Sequence, residues 1–148
     1  MRGYTHLAAG LAVAATMPEA GATELVGLAL GAILPDIDSP SSIVGRYVPI
    51  LPQTLPHRTI THSFAACIAM AFIYKPIAYG MFTHLLLDML NPEGVPLLWP
   101  MRRKFHVPIL GKIRSGSVTD RLIGSLLWIY IVFNYATLMG LIPYSLFT

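Results

Sequence analysis

Residues 121–142 read RLIGSLLWIYIVFNYATLMGLI: one arginine, then an uninterrupted run without a further charge. At 1.5 Å per residue, such a run matches the roughly 30 Å hydrocarbon thickness of a bilayer. Four other apolar segments precede it, at about 5–17, 24–35, 60–74 and 76–90, each bounded by Pro, Gly or charge. These hold about 12 to 15 residues, or about 18–23 Å of helix. They suit a locally thinned bilayer or a partly immersed bundle. The composition agrees: of 148 residues, 55% are apolar and 11% charged, against roughly 25% charged in ordinary soluble domains. Mean hydropathy is +0.63. The expected fold is a single all-α domain over 1–148, an integral membrane bundle of about five helices. Four are short and one is long and C-terminal, with irregular Pro-rich loops on the cytoplasmic side.

The start, MRGYTHLAAGLAVAATMPEAG, resembles a signal peptide in having a basic residue before an apolar run. His6 lies inside that run and further apolar segments follow, so a retained first helix is expected. The single cysteine, Cys67 in FAACIAMAF, cannot form an internal disulfide and reads as packing.

Short connections make segments one and two a hairpin, and likewise three and four. An up-and-down order then puts nine of the ten basic residues on one side, leaving Lys75 with Glu19 and Glu24 on the other. This asymmetry predicts a multi-pass protein with that face in the cytoplasm. On the same face, MRRKFHVPILGKIR (101–114) mixes basic and apolar residues as an anionic lipid surface requires. Membrane lipids are therefore the expected partners and nucleic acid is not. The oligomeric state stays open.

The same topology gathers ionisable residues. His6 begins segment one, Asp36 and Asp38 follow segment two in LPDIDSP, and His57 and His62 flank the start of segment three in HRTITHS. His84 and Asp88 on segment four are i and i+4, so they share a helical face. In DID, an extended turn would send both carboxylates one way and Ile37 the other. Thr59 is the expected N-cap of segment three, with His62 one turn inside it. Each residue also has a plain structural reading: an interfacial His6, a capping DID, or a lipid-headgroup Arg58. Asp88 fits that reading poorly, because a carboxylate near a helix C-terminus opposes the dipole unless a cation is present.

Taken together, His6, Asp36, Asp38, His57, His62, His84 and Asp88 predict a divalent metal site of one or two ions. The N/O donor set favours zinc, with manganese or iron as alternatives. A metal-activated water would be the nucleophile, Asp38 and His57 the candidate catalytic groups, and Arg58 an anchor for a substrate phosphate or carboxylate.

YTHLAAG, LPDIDSP, HRTITHS and THLLLDMLNPEGVPLLWPMRRKFHVPIL resemble, in that order, the YdjM-like family of inner-membrane, metal-dependent-hydrolase-like proteins. The resemblance covers most of residues 4–123. It implies a helical inner-membrane protein whose metal site uses the seven residues above. Where relatives often read DIDHP, this chain has Ser39, so one ligand of those sites has no counterpart. HLLLD on a helix is also weakly similar to zinc-dependent phospholipase C and related nucleases, although their further helical ligands have no match. The leading expectation is a membrane hydrolase acting on a phosphoester or lipid at the cytoplasmic face. The alternatives are a non-catalytic protein with a structural metal, and an ion or metal transporter. Transport predicts charge through the membrane depth, whereas here it clusters at one end.

Overall fold

A computed structural model describes residues 1–17, 19–48, 50–54, 56–108 and 112–142, and among them the fold is all-helical. Five helices have ten residues or more: α1 (Gly3–Ala15), α2 (Ala22–Ile33), α4 (Phe64–Ile73), α5 (Lys75–Asp88) and α6 (Val118–Leu138). A single-turn helix, α3 (Ile50–Thr54), and 3-10 turns at Leu34–Asp38, Gly45–Tyr47 and Ile60–His62 occupy the loops. Extended pairing among the described residues is limited to one bridge, in which Val95 and Phe105 exchange backbone hydrogen bonds of 2.9 and 2.8 Å.

Three local expectations change. DID forms a 3-10 turn, not an extended one, so its carboxylates are spread around a tight turn and serve different partners. Segment three starts later than its apolar run. Its N-cap is Ser63, whose Oγ accepts from the Ala66 N–H at 3.2 Å, rather than Thr59. His62 consequently precedes α4 instead of lying within it. The loop from 36 to 58 also carries more regular structure than its prolines suggest.

Helices α2 and α5 form the centre, α1 packs on both, α4 covers α5, and α6 lies along α1. Small residues make the central contacts close. A Cβ on Gly31 would sit 2.0 Å from the Ile77 carbonyl oxygen, and one on Gly80 would sit 2.3 Å from that of Leu28. Small side chains at such crossings let backbones approach as helices do in lipid. An apolar core of Cys67, Met81, Leu85, Val95 and Leu97 fills the space between α4, α5 and the chain beyond α5.

Among the described residues, α6 alone is long and apolar enough to cross a membrane. Its outer side exposes Leu122, Leu126, Ile129 and Val132. Its first turn is tied down through Asp120, whose carboxylate accepts from the Gly116 N–H (2.6 Å), Arg2 N–H (3.2 Å) and Thr5 hydroxyl (2.9 Å). This anchors the start of α6 to the start of α1, at the end of the bundle where the histidines lie.

Candidate metal centre

Helix ends deliver the donors. His6 comes from the first turns of α1, Asp36 from the 3-10 turn after α2, His62 from the turn before α4, and His84 and Asp88 from the last turns of α5. His6, His62, His84 and Asp88 are no more than 1% exposed. His62 Nε2 and His84 Nε2 lie 3.3 Å apart. Each is 3.6 Å from Asp36 Oδ1 and 3.8 Å from Asp88 Oδ2. A tetrahedral ion bound at about 2.0–2.1 Å separates its donors by about 3.3 Å. The two imidazoles therefore fit one ion together with the Asp88 carboxylate, with small adjustments, and Asp36 stands as close to both imidazoles.

Backbone and side-chain contacts set the imidazole tautomers for that task. His84 Nδ1 is 2.8 Å from the Ala32 carbonyl, so it carries the proton and leaves the Nε2 lone pair free. His62 Nδ1 lies 3.0 Å from Thr61 Oγ1 and 3.4 Å from Asp38 Oδ2, which favours the same tautomer. Asp38 is a hub. Its Oδ1 meets His57 Nδ1 at 2.6 Å, and its Oδ2 accepts from the Arg58 N–H (3.1 Å) and the Thr61 hydroxyl (2.5 Å). Burial alone would raise its carboxyl, but the hydrogen bonds from His57, His62 and Thr61 outweigh burial and hold it well below the usual carboxylate range. Asp36 is likewise lowered, burial being outweighed by the His62 hydrogen bond and the neighbouring imidazoles.

Cationic groups crowd Asp88. Its Oδ1 accepts from the Met1 amino group at 2.8 Å and lies 3.3 Å from His6 Nε2, while Oδ2 is 3.1 Å from Arg58 Nη2. His6 stacks on His84 with ring centroids 3.7 Å apart; beyond the Nε2 contact with Asp88, its buried Nδ1 has no hydrogen-bond partner among the described residues. A buried imidazole nitrogen without a partner is costly unless a ligand satisfies it. His6, Asp36 and His84 also offer donor atoms close enough for one ion, as do Asp36, Asp38, His57 and His62. The donor chemistry thus fits one ion within the bundle and leaves room for a second towards His57, which is half-exposed.

Arg58 is 9% exposed and adopts φ +60°, the left-handed region unusual for a side chain of this size. This geometry turns its guanidinium between Asp88 and Glu93, whose Oε2 is 2.6 Å from Nη1. A cavity of about 610 Å³ opens over the cluster, lined by Asp36, His57, Arg58, Asp88, Asn91 and Glu93 among others. All seven expected ligands and Arg58 therefore meet at one end of the bundle. Sequence reasoning passed over Thr61, Glu93 and Asp120. Asp120 carried a readable signal: Ser117 and Asp120 have capping-box spacing, and Ser117 Oγ accepts from the Asp120 N–H at 3.2 Å.

The comparisons with known proteins agree with this picture at the level of family. The family model described as YdjM inner membrane protein matches residues 1–147. The chain is 35% identical over 122 residues to inner membrane protein YdjM of Escherichia coli (strain K12), covering 70% of this chain and 62% of the relative. The same figures hold for the protein of that name from Shigella flexneri. It is 31% identical over 141 residues to uncharacterized protein YvsG of Bacillus subtilis (strain 168), covering 83% of this chain and 87% of that protein. The chain thus spans less than two thirds of the length of the YdjM relatives. No solved structure matches. On the whole-chain match and these identities, the protein belongs to the YdjM family of inner membrane proteins.

Proposed function

We propose that this protein is a multi-pass membrane hydrolase, dependent on a divalent metal, that cleaves a phosphoester or lipid substrate at the cytoplasmic face. The observation that carries the reading is the convergence of three buried imidazoles and two carboxylates beneath an open cavity, with His6 Nδ1 unpartnered among the described residues. His62, His84 and Asp88 would hold one ion, and His6 and Asp36, which group with the same His84, would complete it or hold a second; zinc is preferred, with manganese or iron as alternatives. Bound there, such an ion supplies Lewis acidity and lowers the pKa of a water.

The chain's own groups divide the remaining work. His57 lines the cavity and is held through Nδ1 by Asp38, which leaves Nε2 to accept a proton. Asp38, with both oxygens already engaged, acts by positioning His57 and His62. Arg58 lines the cavity with its guanidinium held between Asp88 and Glu93, and a substrate oxyanion would be bound there by taking the place of exposed Glu93 on Nη1.

The test is elemental analysis of the detergent-purified protein beside His62→Ala, Asp88→Asn and His57→Gln, with phosphoester and lipid hydrolysis assayed in parallel. About one or two metal equivalents should bind to the parent and be lost from the first two variants without unfolding. His57→Gln should keep its metal and lose about 10²- to 10⁴-fold in turnover. A metal-loaded parent that hydrolyses nothing leaves a structural metal joining four helix ends. A folded, metal-free parent that ignores added metal removes the hydrolase altogether.

A further inference from the structure

A second cleft, of about 670 Å³, lies beside the metal cavity and shares His57 and Arg58 with it as a common wall. Its far side is the segment that follows α5: Trp99 and Met101 provide apolar surface, and Arg102 and Lys104 provide charge. Among the described residues, no acidic one lines it. Arg102 and Lys104 are exposed and form no ion pair among the described residues, whereas the neighbouring Arg103 is directed over the Phe105 ring at 5.5 Å. Leu98, Trp99 and Met101 expose 47%, 41% and 57% of their surface, an apolar lip next to the unpaired cations. Tryptophan beside basic residues is the composition of the membrane–water boundary.

We propose that this cleft binds an anionic phospholipid drawn from the bilayer, with the headgroup phosphate on Arg102 and Lys104 and the upper acyl chain against Trp99 and Met101. Charge complementarity selects the occupant: two unpaired cations face a cleft with one apolar wall, so an uncharged lipid leaves both unsatisfied and a zwitterionic one sets its own cation against them. The shared wall places the headgroup beside His57 and Arg58. That the bound lipid is also the substrate rests on the hydrolase reading; that the cleft is a lipid site does not.

The experiment uses the full chain in phosphatidylcholine nanodiscs. Trp128→Phe leaves Trp99 as the single tryptophan, because the chain has two. Phosphatidylglycerol with brominated acyl chains is titrated in, and quenching of Trp99 reports occupancy. Quenching should saturate at a low mole fraction. Each cation near an anionic lipid surface strengthens binding about fivefold, so Arg102→Gln with Lys104→Gln should raise the required mole fraction about 25-fold. Arg103→Gln with Arg121→Gln removes equal charge outside the cleft and should shift it far less. Equal shifts in the two double variants, or identical quenching by brominated phosphatidylcholine, would overturn the site. So would displacement of the lipid by soluble glycerol phosphate at comparable concentration. Saturable, cleft-dependent quenching in a protein that cleaves nothing retains the lipid site while removing the hydrolase.

Discussion

Asp38 and Asp36 show how two carboxylates one residue apart take different work. Asp36 Oδ1 faces His62 and His84, whereas Asp38 collects donors from His57, Arg58 and Thr61. The folded-state carboxyl of Asp38 is lowered, so its contribution to stability is fully present above the unfolded value near pH 4 and is lost as the pH falls below it. The melting temperature of the metal-free protein should therefore drop between about pH 5 and pH 3. Asp38→Asn should melt lower at pH 7 and show a flatter acid limb. Melting curves in detergent across that range test this, and parallel acid limbs in parent and variant would remove Asp38 from the role.

At the scale of elements, the site depends on how closely α2 and α5 approach. The His84–Ala32 hydrogen bond crosses between them, one residue from Gly31, where an added Cβ would meet the Ile77 carbonyl. Gly31→Ala should force the helices apart, cost about 1–3 kcal/mol as an overpacked contact, and weaken metal retention with it. Thermal melts and metal content read on one preparation check both, and an unshifted melting temperature would show that the crossing has slack. The helices themselves were legible as apolar runs with Pro, Gly or charge at their ends. Their starts were not. Thr59 and Ser63 are both good N-caps in isolation, but the Phe64 N–H donates to the Leu97 carbonyl at 2.9 Å, a contact from beyond α5 that helps fix the start at Ser63.

For the whole molecule, the helices bring the site and the arginine- and lysine-rich segments to one end, and place Glu24 and Lys75 around a cavity at the other. The proposed orientation, site inward, makes a direct prediction. In a Cys67→Ala background, a membrane-impermeant maleimide added to intact spheroplasts should label Glu19→Cys, and should label Ser41→Cys only after permeabilisation. Both positions are exposed and lie at opposite ends of the bundle. The reverse pattern would put the site outside.

The sequence by itself determined the helical class, the membrane family and the list of candidate ligands. The class and the candidates follow from local quantities, namely apolar run length, the order of charged loops and residue types at helix ends, whereas the family follows from the motifs and their order. The tertiary structure alone decided which donor atoms converge, which carboxylate became a hub, and how Asp120 ties α6 to α1. Those outcomes turn on contacts such as His84 to Ala32, 52 residues apart, and Thr5 to Asp120, 115 apart. No local pattern encodes a distance between side chains that only packing brings together.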